Sequence, residues 1–276
     1  MGNLNHYQQA MLDAALRYAE QGRAILPLSR SKKPINANCS EGATTDPQQI
    51  TAWWRAHPTA QIGIATGSIS GIWVVDVDMK TGKDGIEAIR NTFGSQFIWE
   101  EQALIQKTPT GGFHFVFAWD KARQVHSAHD ALEGVDILGD GGFIVVAPSS
   151  LSVDGEWITY RWNDAAYQPV EAPDWAWALN EMVQESRSKP VDLNKALSGI
   201  QQGSRDDDLF RIACMLCSRD VTRNTAMTFI EVLAERCQPP FDRMEARDKV
   251  ERAYSRYQNS QAENILEKVK WGREAV

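Results

Sequence analysis

The chain of 276 residues is poor in cysteine, has no long apolar run and carries no excess of basic charge. Its four cysteines, Cys39, Cys214, Cys217 and Cys237, are too few and too clustered for a disulfide framework. No apolar stretch approaches the roughly 18 residues that cross a bilayer, and the N-terminus lacks the basic-then-apolar pattern of a secretory leader. The expectation is a cytoplasmic protein in a reducing compartment, without a membrane partner. A net charge of −7 argues against broad, non-specific DNA binding. That charge is uneven. From Arg187 onward 16 Lys and Arg face 14 Asp and Glu, a net of +2, which leaves −9 on the residues before it. An acidic region suits the collection of metal ions and nucleoside triphosphates, whereas a polyanionic template bound there needs local basic patches.

With 43% hydrophobic and 24% charged residues, the composition is that of an ordinary globular protein with room for a full core and a second module. The most informative stretch is Ile72-Trp73-Val74-Val75-Asp76-Val77-Asp78, which reads as a buried strand ending in two carboxylates. Side chains alternate faces along a strand, so Asp76 and Asp78 point the same way. Two like charges that close repel unless a cation lies between them. Hard divalent ions take oxygen ligands, held by one or two carboxylates plus substrate phosphates. Two further blocks follow: Pro109-Thr110-Gly111-Gly112-Phe113-His114-Phe115, then Gly134-Val135-Asp136-Ile137-Leu138-Gly139-Asp140-Gly141-Gly142, which runs on to Ala147-Pro148-Ser149.

In that order the three blocks closely resemble the primase-polymerase (prim-pol) branch of the archaeo-eukaryotic primase superfamily. That family is recognised by a two-acid strand, a small-x-His strand and a third acid on a later strand. The resemblance takes in Pro27-Leu28 with Lys32-Lys33-Pro34, Ala43-Thr44-Thr45-Asp46, the Trp53-Trp54 pair and Ile62-Gly63-Ile64-Ala65-Thr66-Gly67. It implies a template-directed nucleotidyltransferase that makes and extends primers on single-stranded DNA from nucleoside triphosphates. Asp76, Asp78 and Asp136 would hold two Mg2+ or Mn2+ ions, and His114 would contact the phosphates of the incoming nucleotide. Many relatives have serine two residues before that histidine; here Gly112 stands there, so a phosphate contact must come from backbone N–H groups or from Thr110. Lys33, ahead of Lys32, is the implied basic phosphate contact, and Lys107 is a further candidate. Gly139 would set its backbone against sugar or base, with Ser149 near the triphosphate; the plain reading of the 139–142 glycines is a tight hairpin.

Helical spacing of Tyr7, Met11, Leu12, Ala15, Leu16 and Ala19 predicts a first helix with Gly22 at its C-cap. Asp46-Pro47 predicts an N-cap and first turn. Strands are expected at Ala24–Leu28, Ile62–Thr66, Ile72–Asp78, Leu104–Thr108, Phe113–Trp119, Val135–Leu138 and Phe143–Ala147, with a helix from Gly85 to Phe93. Without a regular βαβ repeat the fold class is α+β, with a largely antiparallel or mixed sheet; the resemblance adds an RNA-recognition-motif-like subdomain. Residues 1–184 form the catalytic domain, 185–203 a linker, and 204–276 a small all-α domain. In that last segment Arg205–Arg219, Thr222–Cys237 and Asp242–Tyr257 read as amphipathic helices, similar to the module that follows prim-pol domains in phage and plasmid primases. No Gly-x-x-x-x-Gly-Lys-Ser/Thr pattern occurs, so the helicase often fused to such primases is not in this sequence; either the sequence is part of a longer primase-helicase or a separate helicase is its partner.

Each candidate has a plainer reading. Strand-end carboxylates commonly face water, a histidine in a strand is commonly structural, and Trp53, Trp54 and Trp73 suit a core. Cys214, Cys217 and Cys237 fall in amphipathic helices without a fourth ligand, and His126 and His129 lie far off in an expected loop, so buried thiols rather than a zinc site are expected. Two rival functions use the same features: a non-catalytic replication-associated DNA-binding module, and a metal-dependent phosphohydrolase or nuclease.

Overall fold

The computed structural model describes residues 4–35, 42–79, 82–98, 104–163, 168–188 and 191–255. The chain divides into two compact units, Met1–Ser186 and Arg187–Val276. Cys39 and the expected helix end beyond residue 255 lie outside the described residues.

In the first unit, helix α1 (His6–Glu20) opens with a capping box. The Asn5 side chain accepts the Gln8 N–H, and the Gln8 side chain accepts the Asn5 N–H, both at 2.9 Å. Gly22 follows its C-cap at φ 78°. Helix α2 (Pro47–Ala56) starts as the Asp46-Pro47 pair predicts, with Asp46 accepting the Gln48 N–H at 2.9 Å. Helix α3 (Gly85–Phe93) is capped by Asp84, and α4 spans Asp174–Ser188.

The strands are β1 (Ile25–Leu28), β2 (Gln61–Ala65), β3 (Ile72–Val77), β4 (Leu104–Lys107), β5 (Phe113–Ala118), β6 (Ala128–Leu132), β7 (Val135–Leu138), β8 (Phe143–Val145), β9 (Ser150–Val153), β10 (Glu156–Thr159) and β11 (Arg161–Trp162). They form a six-stranded sheet of order β11-β4-β5-β3-β7-β6, a three-stranded sheet β1-β2-β8 and a separate β9-β10 hairpin. Every one of these strand pairings is antiparallel. The named strands thus take the largely antiparallel arrangement, and parallel pairing is confined to isolated bridges such as Phe117–Val170 and His126–Asp140.

The continuous apolar run of β3 has a packing reason. Trp73, Val75 and Val77 enter a core with Phe115, Phe117 and Ile137 of the same sheet, Ile86 and Ile89 of α3, and Trp175 and Leu179 of α4. Ile72 and Val74, on the other face, pack against Ile62, Ile64 and Ile144 of the three-stranded sheet and against Met11 and Trp54 of α1 and α2. Trp54 and Trp73 are both fully buried.

Three expectations need correction. His129 lies on strand β6, not in a loop; β6 and β7 are joined by Glu133-Gly134, with Gly134 at φ 71°. The 139–142 glycines do not close a hairpin: β7 and β8 belong to different sheets, and this turn carries the chain between them. Finally, α4 continues to Ser188, into the segment read as linker.

The second unit consists of α5 (Leu193–Ser198), α6 (Arg205–Ser218), α7 (Arg223–Arg236) and a helix α8 over 243–255. Its core includes Leu209, Ile212, Ile230, Leu233, Ala246 and Val250. Cys217 and Cys237 are buried and Cys214 is half-buried. Burial pushes the Cys217 and Cys237 thiols up, and the Cys237 thiol donates to the Leu233 carbonyl at 3.3 Å. Among the described residues, no helix is long and apolar enough to cross a membrane.

Candidate active site

The six-stranded sheet brings the sequence-predicted residues into rows. Across β4, β5, β3 and β7, Leu104, Val116, Val74 and Leu138 are register partners in turn, and this apolar row faces the three-stranded sheet. Two residues along each strand, on the same face, comes a polar row: Gln106 opposite His114, His114 opposite Asp76, and Asp76 opposite Asp136. A third row begins where the Thr108 N–H meets the Gly112 carbonyl and the Asp78 N–H meets the Gly134 carbonyl. The alternation that buries β3 therefore also delivers its carboxylates to one face, at the edge of the inter-sheet core.

His114 is 5% exposed, and its ring is held from one side. Gln106 Oε1 accepts the Ala147 N–H at 2.8 Å, which identifies the opposite end of the amide as NH2. That NH2 donates to the Val145 carbonyl and to His114 Nδ1, each at 2.8 Å. The Nδ1 atom is thus the acceptor, and the neutral ring carries its proton on Nε2, 3.6 Å from Asp76 Oδ1. Burial first, and the Lys32 charge second, push the His114 pKa down to about 3, so the ring is a neutral donor at ordinary pH. Tyr160 lies beside it, ring centroids 6.0 Å apart, its hydroxyl pushed up by burial and then by the Asp76 charge.

Asp136 is held differently. One oxygen accepts from His129 Nδ1 at 2.9 Å and the other from the Asp130 N–H at 2.8 Å. Burial pushes this carboxyl up, but the His129 bond and charge, the Asp130 N–H and the Lys83 charge outweigh it and hold the group below the ordinary carboxylate range. Lys83 forms an ion pair with Asp130 at 3.2 Å. Burial lowers the Lys83 pKa, but Asp130, Asp78 and Asp136 more than offset this, leaving it raised. Among the described residues, no group of three or more His, Cys, Asp or Glu side chains stands close enough to enclose an ion. The register joins Asp76 and Asp136 directly, with Asp78 one row outward.

The other predicted residues fall in several places. A Cβ on Gly112 would stand 2.3 Å from the Val77 carbonyl oxygen, and one on Gly139 would stand 2.0 Å from the Val125 carbonyl oxygen; both glycines are required by backbone packing. Thr110 lies in the turn before β5, 3.3 Å from the Thr108 hydroxyl. Ser149 is fully buried and its hydroxyl accepts the Ile62 N–H at 2.8 Å. Lys107 is exposed, opposite Arg161 on β11. Of the two adjacent lysines, Lys32 is the one whose ammonium reaches the His114 neighbourhood, 6.0 Å from the Tyr160 ring. The family model described as bifunctional DNA primase/polymerase, N-terminal, matches residues 15–175, more than half of the chain and including all three acids and His114.

The chain belongs to the Prim-Pol family. A second model, primase C terminal 1, matches residues 193–259, over the helices of the second unit. A comparison with curated proteins finds no match. In this Prim-Pol chain Gln106, Lys83 and Tyr160 lie beside the predicted residues without having been legible as candidates, and His129, weighed only as a zinc ligand, bonds Asp136 instead.

Proposed function

We propose that the chain is a template-directed nucleotidyltransferase that synthesises and extends primers on single-stranded DNA. The observation that supports this most is the in-register row His114–Asp76–Asp136 within a Prim-Pol match. Asp76 and Asp136, like charges on adjacent strands, and Asp78 on the same face offer the hard oxygen donors that Mg2+ or Mn2+ prefer. Bound there, two such ions would activate the attacking 3′-hydroxyl and neutralise the charge of the triphosphate and leaving pyrophosphate. The chain's own residues do the remaining work. His114, neutral and protonated on Nε2, donates a hydrogen bond to a phosphate oxygen, and Lys32 contributes positive charge to the same neighbourhood. The Gln106 amide prevents the ring from turning its bare nitrogen toward the nucleotide.

The test is incubation with single-stranded template, labelled triphosphates and Mg2+ or Mn2+, with and without a primer. The parent should extend the primer, and Asp76→Ala/Asp78→Ala should fold and synthesise nothing. Synthesis by the folded double variant would overturn the metal role of these carboxylates.

A further inference from the structure

The acidic first unit contains one stretch, residues 21–40, with no Asp or Glu and four cations, Arg23, Arg30, Lys32 and Lys33. Part of it forms a turn that faces the β9-β10 hairpin. The Ser29 N–H donates to the Lys33 carbonyl at 2.8 Å, the Lys32 N–H to the Ser29 carbonyl at 2.9 Å, and the Lys33 N–H to the Ser29 hydroxyl at 3.1 Å. Lys32 takes φ 62°, a left-handed conformation that a lysine adopts only when its surroundings hold it there. The turn lays two cations on two aromatic rings: the Arg30 guanidinium 5.0 Å from the Trp157 ring and the Lys32 ammonium 6.0 Å from the Tyr160 ring. Trp157 is 54% exposed although it is the largest apolar side chain on the hairpin, and its neighbour Ile158 is 40% exposed. The hairpin pairs with no other strand among those described, so sheet formation does not account for a tryptophan at this place.

These features lie in one neighbourhood, with Trp157 exposed at its outer end and Tyr160 and His114 buried at its inner end. Trp157 and Tyr160 are three residues apart, roughly 10 Å of extended chain, and Tyr160 lies 6.0 Å from His114. An exposed aromatic face with guanidinium and ammonium groups beside it is the combination that binds single-stranded nucleic acid, bases stacking on the ring and phosphates meeting the cations. We infer that the 29–33 turn and the β9-β10 hairpin form a stacking platform that seats a single nucleic-acid strand at the entrance to the acid row. The inference rests on the polymerase reading for its purpose, and the cations that a polyanionic partner requires come from the 29–33 turn, since the hairpin itself carries the exposed acids Asp154 and Glu156.

Binding of fluorescently labelled oligothymidine to the full chain, followed by anisotropy over a salt series, tests this. Trp157→Ala should weaken binding about fivefold to a hundredfold, the loss of one stacked base, while Trp157→Phe keeps most of the affinity. Arg30→Ala should make the plot of log affinity against log salt shallower by about 0.7 for each phosphate that the guanidinium neutralises. Thermal unfolding of each variant should match the parent, since both side chains are exposed. Parental affinity and salt slope in Trp157→Ala and Arg30→Ala would overturn the platform, as would a parent that binds no oligothymidine at low salt; the exposed tryptophan would then belong to a protein interface. Primer synthesis in the same samples separates the two ideas. Synthesis with unchanged oligonucleotide binding faults only the platform, whereas Trp157-dependent binding without synthesis faults only the polymerase reading.

Discussion

Gln106 has no exposed surface, and its amide satisfies two backbone groups before it reaches His114. Leucine at this position strands the Ala147 N–H and the Val145 carbonyl, each costing about 1–3 kcal/mol when buried, and releases His114 to exchange tautomers. Gln106→Leu should therefore melt at a lower temperature and lose nucleotide affinity about as His114→Ala does. A charge-assisted hydrogen bond of roughly 1.5–3 kcal/mol sets that loss at about tenfold to a hundredfold. Adding Gln106→Leu to His114→Ala should lower the melting temperature again but cost no further affinity, because the glutamine acts through the ring. Triphosphate titrations and melting curves on the same three proteins check this; an additive loss of affinity would assign Gln106 a role of its own at the nucleotide. The same histidine shapes the acid limb of stability. Its pKa falls from 6.5 to about 3 on folding, through burial and then the Lys32 charge. Above 6.5 the ring is neutral in both states and adds no pH dependence. Below it the unfolded chain takes up a proton that the folded chain refuses, so stability declines between these two values. Urea midpoints measured with a chelator present should fall across this range in the parent and fall less steeply in His114→Gln; parallel profiles would place the acid limb elsewhere.

At the scale of elements, β3 and β5 approach closely enough that Gly112 has no room for a side chain. The Cβ of Gly112→Ala would meet the Val77 carbonyl oxygen at 2.3 Å and the Thr108 hydroxyl at 3.2 Å. Backbone must move, at a cost of about 1–3 kcal/mol, and the row that carries Asp78 moves with it. Urea unfolding should show that loss together with weaker triphosphate binding, and unchanged stability would refute the packing account of this glycine. The two-acid strand was legible because both its faces are apolar until the carboxylates, and because its partners carry glycine, histidine and aspartate in a fixed order. Strand β6 was not. Ala128-His129-Asp130-Ala131-Leu132 lacks β-branched residues, its register is irregular and Asp130 sits at φ 49°, so nothing local marks it as a strand. Gln106 was silent for a different reason: its meaning depends on Ala147, 41 residues away, as well as on His114. That the Lys32 ammonium reaches the His114 neighbourhood goes with a left-handed residue at 32, which two adjacent lysines do not disclose. Ser149 illustrates the converse, since a serine after Ala-Pro suits a phosphate contact while its hydroxyl here accepts a strand N–H.

For the whole molecule, the division at residue 186 coincides with the change in charge, −9 before it and +2 after it. Each unit also has its own apolar core: the two faces of β3 in the first, and Leu209, Ile230 and Val250 with their neighbours in the second. A fragment ending at Ser188 keeps all of α4, including Trp175 and Leu179 in the core under the six-stranded sheet, and should fold alone. It also retains the acid row, His114 and the cationic turn, everything that elongation requires in the proposed reading. Elongation grips a primer–template duplex, whereas initiation must hold two free triphosphates on a bare template, so an added docking surface counts most at the first bond. The second unit, matched by a primase C-terminal model and carrying the balance of positive charge, is the part that can supply it. The fragment should therefore extend an annealed primer at a rate within a few-fold of the full chain and lose most de novo synthesis. Product ladders from the two proteins, with and without primer at matched template concentration, provide the measurement. Equal initiation by both would show that priming resides in the first unit alone, and loss of extension as well would show that the second unit serves every step rather than the first bond.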